Sequence, residues 1–232
     1  MASDHAFGDM SATIKPPGTD ASRNDAVASG SRLVLVLTMG RVGSSSVYSS
    51  IPAQPGLSKF HVHSINIDTL ARQVARHKGI ATSPRSVRDG VNALKALMAH
   101  PGPVQVISLV RDPVKRDLSA AFASLRAKRT IEQVREIVDD PGKLDVFWSG
   151  FRSGRPFTWF DDEVHDVIGI DVYQTEFPSQ GHQQYANERF RLLVMRSELP
   201  AEDQGIILSR FLGTGYDIRM SRVNDQTASP EL

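Results

Sequence analysis

The chain predicts an α/β domain with a central parallel β-sheet flanked by helices, and three observations predict it. Residues 33–37, 104–110 and 191–196 are short apolar runs without polar alternation, the first two rich in β-branched side chains. Such runs read as strands buried on both faces, the habit of parallel sheets. Between them lie stretches with helical apolar spacing, and strand–helix alternation implies βαβ units joined by right-handed crossovers. Finally, 232 residues are enough for one substantial core and favour a single domain.

In chain order, residues 1–31 are rich in Ser, Asp, Ala, Gly and Pro without apolar periodicity, and read as a disordered tail. The domain proper is expected over 32–215. Its first strand, 33–37, breaks at Thr38-Met39-Gly40, and nothing stops a helix from Ser45 until Pro52. A short strand is expected around 59–65. A helix over 67–77 would bury Ile67, Leu70, Ala71 and Val74, and a second over 86–100 would bury Val91, Leu94, Leu97 and Met98. Pro101-Gly102-Pro103 ends it. After strand 104–110, Asp112-Pro113 opens a helix running to about 129, because Pro loses nothing at a first helical turn. Residues 130–138 suggest another helix, 147–160 an irregular aromatic stretch, 163–168 a helical turn or two, and 172 onward a loop region. A helix over 202–212 follows the third buried strand. From Tyr216 to Leu232 the apolar content falls, so this end is expected to be an exposed tail.

Composition narrows the function. The formal net charge is +1, far from the excess of a nucleic-acid binder. There are no cysteines, which removes disulfides and thiol chemistry. No apolar run approaches the roughly 18 residues of a membrane span, and the N-terminus lacks a signal-peptide apolar region. The reading is a cytoplasmic, bacterial protein.

The stretch around which the chemistry gathers is Arg41-Val42-Gly43-Ser44-Ser45-Ser46, between a buried strand and a helix. Amides at such a joint lack intrahelical partners, Gly permits close approach, and Arg41 adds a fixed cation, so the element suits an anion. The nucleotide loop G-x-x-x-x-G-K-[ST] is not present, because Ser44 follows Gly43 where its Lys would stand. A Ser-rich turn that merely caps a helix has the same letters. A second cluster lies at the end of another buried strand, Arg111-Asp112-Pro113, with Ser119 one or two turns into the next helix. An Arg at a strand tip and a helix hydroxyl can hold a phosphate. A third is His61-Val62-His63, whose imidazoles titrate in the range a general base needs. No third ligand stands nearby to make that pair a metal site, and none is expected.

The first cluster resembles the 5′-phosphosulfate loop of sulfotransferases, above all the carbohydrate type. Arg111-Asp112-Pro113 with Ser119 resembles their 3′-phosphate motif. Together the two imply a three-layer P-loop-type domain and 3′-phosphoadenosine-5′-phosphosulfate (PAPS) as sulfuryl donor, with no metal. Val42, Gly43, Ser44, Ser45 and Ser46 would hold the phosphosulfate, Arg41 would stabilise it, and Arg111 and Ser119 would take the 3′-phosphate. His61-Val62-His63 is similar to the His-x-His of uronyl and heparan 2-O-sulfotransferases, which implies His63 as catalytic base with His61 as the fallback. Residues 159–163 and 169–173 resemble a bacterial family of capsular polysaccharide synthesis proteins. The expected acceptor is a carbohydrate hydroxyl. The adenine-holding C-terminal segment of sulfotransferases has no clear counterpart, Gly213-Thr214-Gly215 being a faint echo. A small-molecule kinase and a non-catalytic nucleotide-binding protein stand as the alternatives.

Overall fold

The computed structural model describes residues 31–76, 84–127, 129–150, 155–213 and 215–220. The tail expected over 1–31 thus lies outside them except for Ser31, as does most of the loop over 78–85. The architecture is α/β, a five-stranded, mostly parallel sheet in the order β2-β1-β3-β5-β4. Its strands are β1 (Arg32–Leu37), β2 (Leu57–Val62), β3 (Val104–Val110), β4 (His182–Ala186) and β5 (Phe190–Arg196). β1 runs parallel to both β2 and β3, with Leu37 opposite Val62 and Val36 opposite Ile107; β3 runs parallel to β5.

Helix α1 (Ser44–Ser50) carries the chain from β1 to β2, and α2 (Ile67–Arg76) and α3 (Arg85–Ala99) return it across β1 to β3. The two crossovers run in opposite senses, so right-handed connections put α1 and α3 on opposite faces of the sheet. At β1 the direction of winding reverses. In an open α/β sheet the crevice beyond the strand tips at such a reversal is where ligands bind.

From β3 the chain continues through α4 (Pro113–Arg126), α5 (Ile131–Val138), α6 (Pro141–Gly150) and α7 (Arg155–Phe160). A π-helical turn, Asp161–His165, and the short α8 (Asp166–Ile168) complete this run. Two of these helices have legible starts. Asp112 accepts the Lys115 amide at 2.8 Å with Pro113 next in line, and Thr130 and Gln133 form a reciprocal capping box. Helix α9 (Ala201–Leu212) follows β5. The core holds β1, β3 and β5 together with Val47, Ile51, Trp159, Leu208 and Phe211. Among the described residues no helix is long and apolar enough to cross a membrane.

Several expectations need correction. Residues 147–150 and 155–160 are not irregular: they fall in α6 and α7, and Trp159 and Phe160 are core residues, while 151–154 lie outside the described residues. The face of α2 buries Leu70 while Ile67 and Val74 are exposed, and α3 buries Val87, Gly90, Ala93 and Leu97 while Met98 is 77% exposed. Gly90 explains the rotation of α3. A side chain there would stand 2.6 Å from the Ser64 carbonyl, so the glycine is the point of closest approach. Strand β4 was not expected at all. It pairs antiparallel with β5 through a turn in which the Asn187 side chain accepts from the Arg189 and Phe190 amides. The C-terminal end does not become an exposed tail at Tyr216: Tyr216 is 7% and Ile218 4% exposed, although Asp217 and Arg219 between and after them are exposed. Arg32 lies over the Tyr216 ring, 5.0 Å from its centre, and Ile218 N donates to Ser209 Oγ. Residues 221–232 lie outside the described residues.

Candidate functional site

Loop 38–43 leaves β1 at the reversal point. Two of its residues have left-handed backbone, Gly43 at φ 81° and Arg41 at φ 73°. Gly43 tolerates this freely; for Arg41 it costs about 1–2 kcal/mol. Successive amides in such a turn converge into a concavity that attracts anions. Added Cβ atoms at Gly40 or Gly43 would meet nothing within 4 Å, so the loop surface is open. Gly43 is the N-cap of α1 and no side chain caps that helix, so the serines do not act as the capping turn that their letters also allowed. Val42 and Ser44 are buried, while Ser45 and Ser46 are half-buried.

Next to this loop stands the tip of β3. Arg111 Nη1 donates to the Arg41 carbonyl at 3.0 Å, and Arg116 Nε to the Gly40 carbonyl at 3.2 Å. Arg116 is also paired with Asp117 at 2.6 Å. By contrast, neither Arg41 nor Arg111 has a carboxylate within ion-pair distance among the described residues. Glu198 accepts the Asp112 amide at 2.9 Å and holds the Arg111–Asp112 turn against the end of β5. Ser119 is half-buried on α4, one turn beyond Arg116 on the same helical face. The structure shows no bond from Ser119 to the loop.

On the other side of the loop is the tip of β2. Its register places His63 beyond Val62, beside Thr38. His63 Nδ1 lies 2.8 Å from the Thr38 carbonyl. A carbonyl only accepts, so Nδ1 carries the proton and the lone pair of the neutral ring is on Nε2. His61 is held differently. Its Nε2 lies 2.8 Å from Ser44 Oγ, and its ring stacks on Tyr48 and meets His63 edge-on at 5.2 Å. Burial, helped by the neighbouring His63 and opposed by Asp89, lowers the His61 pKa to about 4. At neutral pH it is therefore an uncharged, bonded ring.

The turn after His63 is anchored from the α7 side. Trp159, 1% exposed, donates its indole N–H to the His63 carbonyl at 3.1 Å. The buried Glu163 carboxylate accepts from Ser64 Oγ at 2.5 Å, Ile65 N at 2.7 Å and Asn66 N at 2.9 Å. These anchors, and the Thr38 carbonyl, are what sequence reasoning missed. A buried acid and a solvated one have the same letter, and a backbone carbonyl has no letter at all.

Two cavities flank the loop. One of about 280 Å³ is bordered by Gly43, Ser46, Ser197, Glu198 and Gln204. The other, about 450 Å³, is bordered by Met39 and Arg111. The chain thus gathers five of the predicted residues, Arg41, Gly43, Ser44, His63 and Arg111, around one crevice at adjacent strand tips. No protein family, curated protein or solved structure matches the chain.

Proposed function

We propose that the chain is a sulfotransferase that moves a sulfuryl group from PAPS to a hydroxyl of a carbohydrate acceptor, with loop 38–43 serving as a P-loop-type phosphate cradle. One observation carries this reading. Arg111 docks on the backbone of Arg41, and neither guanidinium has a carboxylate partner among the described residues. Two cations brought to one open loop without a counter-charge favour a doubly anionic ligand. The Thr38 hydroxyl at the root of the loop supports it, being fully buried with no partner among the described residues.

The residues fit the donor. Backbone amides of 42–45 and the hydroxyls of Ser45 and Ser46 would hold its 5′-phosphosulfate, with Arg41 stabilising charge that develops there. Arg111 and, after adjustment of its rotamer, Ser119 would hold the 3′-phosphate. PAPS supplies an activated sulfuryl group whose sulfur–oxygen bond to phosphate breaks as the acceptor oxygen bonds to sulfur. His63 takes the acceptor proton on Nε2, oriented for this by the Nδ1–carbonyl bond. His61, bonded to Ser44 and with its pKa lowered to about 4, is the weaker base and helps place the loop.

Calorimetry with adenosine 3′,5′-bisphosphate (PAP), followed by transfer assays from PAPS, tests the reading. His63→Ala should retain PAP binding and lose turnover, and Arg111→Ala should weaken PAP more than a nucleotide lacking the 3′-phosphate. Magnesium-dependent ATP turnover with no PAP binding would replace it with the kinase reading.

A further inference from the structure

The larger cavity beside the loop has, apart from Arg111, a lining that the donor does not use. Its floor is formed by Val110 of β3 and Val194 of β5, on one face of the sheet, together with Met39 of the loop that follows β1. Its walls are aromatic: Phe160, Tyr173, Phe177 and Tyr185. All four rings are held in place. Phe160 meets Tyr173 edge-on at 6.3 Å, Arg196 lies over Phe177 at 5.6 Å, and the Tyr185 hydroxyl donates to the Val172 carbonyl at 3.1 Å. The Tyr185 polar end is thereby satisfied and its ring is presented as an apolar surface. Charged groups gather at the Arg111 side and at Glu176 on the rim. A preformed apolar pocket of this size, with few polar groups at its mouth, is built for a ring-bearing small molecule, and edge and face contacts with fixed aromatic rings add to the affinity of a flat one.

We propose that this cavity binds an uncharged apolar ring group of the acceptor, so that the acceptor is a glycoside with an apolar aglycone rather than a bare sugar chain. Calling the ligand an acceptor rests on the sulfotransferase reading; its chemical class rests on the cavity. Gly43 of the loop and Ser46 of α1 border the smaller cavity and not this one, so a 5′-phosphosulfate held by residues 42–46 faces that other space, and of the proposed donor ligands only Arg111, on the charged side, also lines the larger cavity. The Phe160 wall also adjoins Trp159, which bonds the His63 carbonyl, and the floor residue Met39 follows Thr38, which bonds the His63 ring. The proposed base does not line the cavity itself; it is joined to the wall and the floor through the chain neighbours of two lining residues.

The test is calorimetry on the full chain with 2-naphthyl β-glucoside and methyl β-glucoside, each with and without saturating PAP. The naphthyl glucoside should bind with one-to-one stoichiometry, at least tenfold tighter than the methyl glucoside, and equally well with PAP present. Tyr173 and Thr175 are exposed, so their variants should fold. Tyr173→Ala should weaken the naphthyl glucoside at least fivefold with PAP affinity unchanged, and Thr175→Trp, which narrows the mouth, should abolish its binding. Equal affinity for the two glucosides, or displacement of the naphthyl glucoside by PAP, would overturn the proposal. Failure of PAP to bind while the naphthyl glucoside binds would instead overturn the donor reading and leave the cavity's ligand class standing.

Discussion

Glu163 offers the most direct test of how the crevice is held. Its buried carboxylate takes three hydrogen bonds from Ser64, Ile65 and Asn66, the turn that follows His63. Hydrogen bonds to a charged group are worth about 1.5–3 kcal/mol each, and unsatisfied buried donors cost about 1–3 kcal/mol. Glu163→Ala orphans two backbone amides and one hydroxyl; allowing for entry of water, it should destabilise the fold by about 3–5 kcal/mol. Glu163→Gln keeps an acceptor for the two amides, and its NH2 can donate to the Ser64 hydroxyl. That variant should lose about 1–2 kcal/mol, mainly the charge assistance. Urea unfolding followed by circular dichroism measures both. Turnover of the Gln variant then reports on His63, whose backbone is anchored next to this turn. A loss below about 1 kcal/mol for Glu163→Ala would refute the reasoning, because the turn would then be held by something other than this carboxylate.

Arg41→Gly should separate stability from binding. It relieves about 1–2 kcal/mol of left-handed strain against about 0.5–1 kcal/mol of glycine entropy, so unfolding in urea should show no loss. PAP affinity should nevertheless fall roughly tenfold or more, as expected for a lost charge-assisted bond. A Cβ on Gly205 would stand 2.3 Å from the Ile218 carbonyl, so Gly205→Ala should cost about 1–3 kcal/mol in thermal or urea unfolding; unchanged stability would mean that the 216–218 segment does not pack there. The native His61 pKa, about 4, lies below its ordinary 6.5, so the unfolded chain binds more protons between those values. Stability should therefore be complete above pH 6.5 and fall as the pH drops toward 4. In His61→Gln this part of the pH dependence should flatten, and a profile identical to wild type would show that His61 is not its source.

Strands were legible where local signals agree. Residues 33–37, 104–110 and 191–196 form β1, β3 and β5 because a short apolar run without polar alternation has few other stable uses. Helix starts at Asp112-Pro113 and Thr130 were legible for the same reason, since capping needs only neighbours within four residues. Strand β4 was not, because His182-Gln183-Gln184-Tyr185-Ala186 has no apolar pattern of its own. It is a strand because β5 supplies an edge and Asn187 a turn. Helix faces were misjudged for a similar reason. Apolar spacing marks a stripe, but the close approach at Gly90 set which side of α3 meets the sheet region.

By itself the sequence determined an α/β chain with an open, cation-bearing loop after its first buried strand, a second arginine after another, and a histidine pair between them. Each of those is a matter of residues adjacent in the chain. Only the tertiary structure decided that β1 lies between β2 and β3, which brings His63, the loop and Arg111 to one crevice. It also decided that Glu163 and Trp159, about a hundred positions away in the chain, hold the histidine's turn, and that the 216–218 end packs into the core. Such contacts arise from strand order, crossover hand and close packing, and these depend on how all the apolar faces are buried together rather than on any local run of letters.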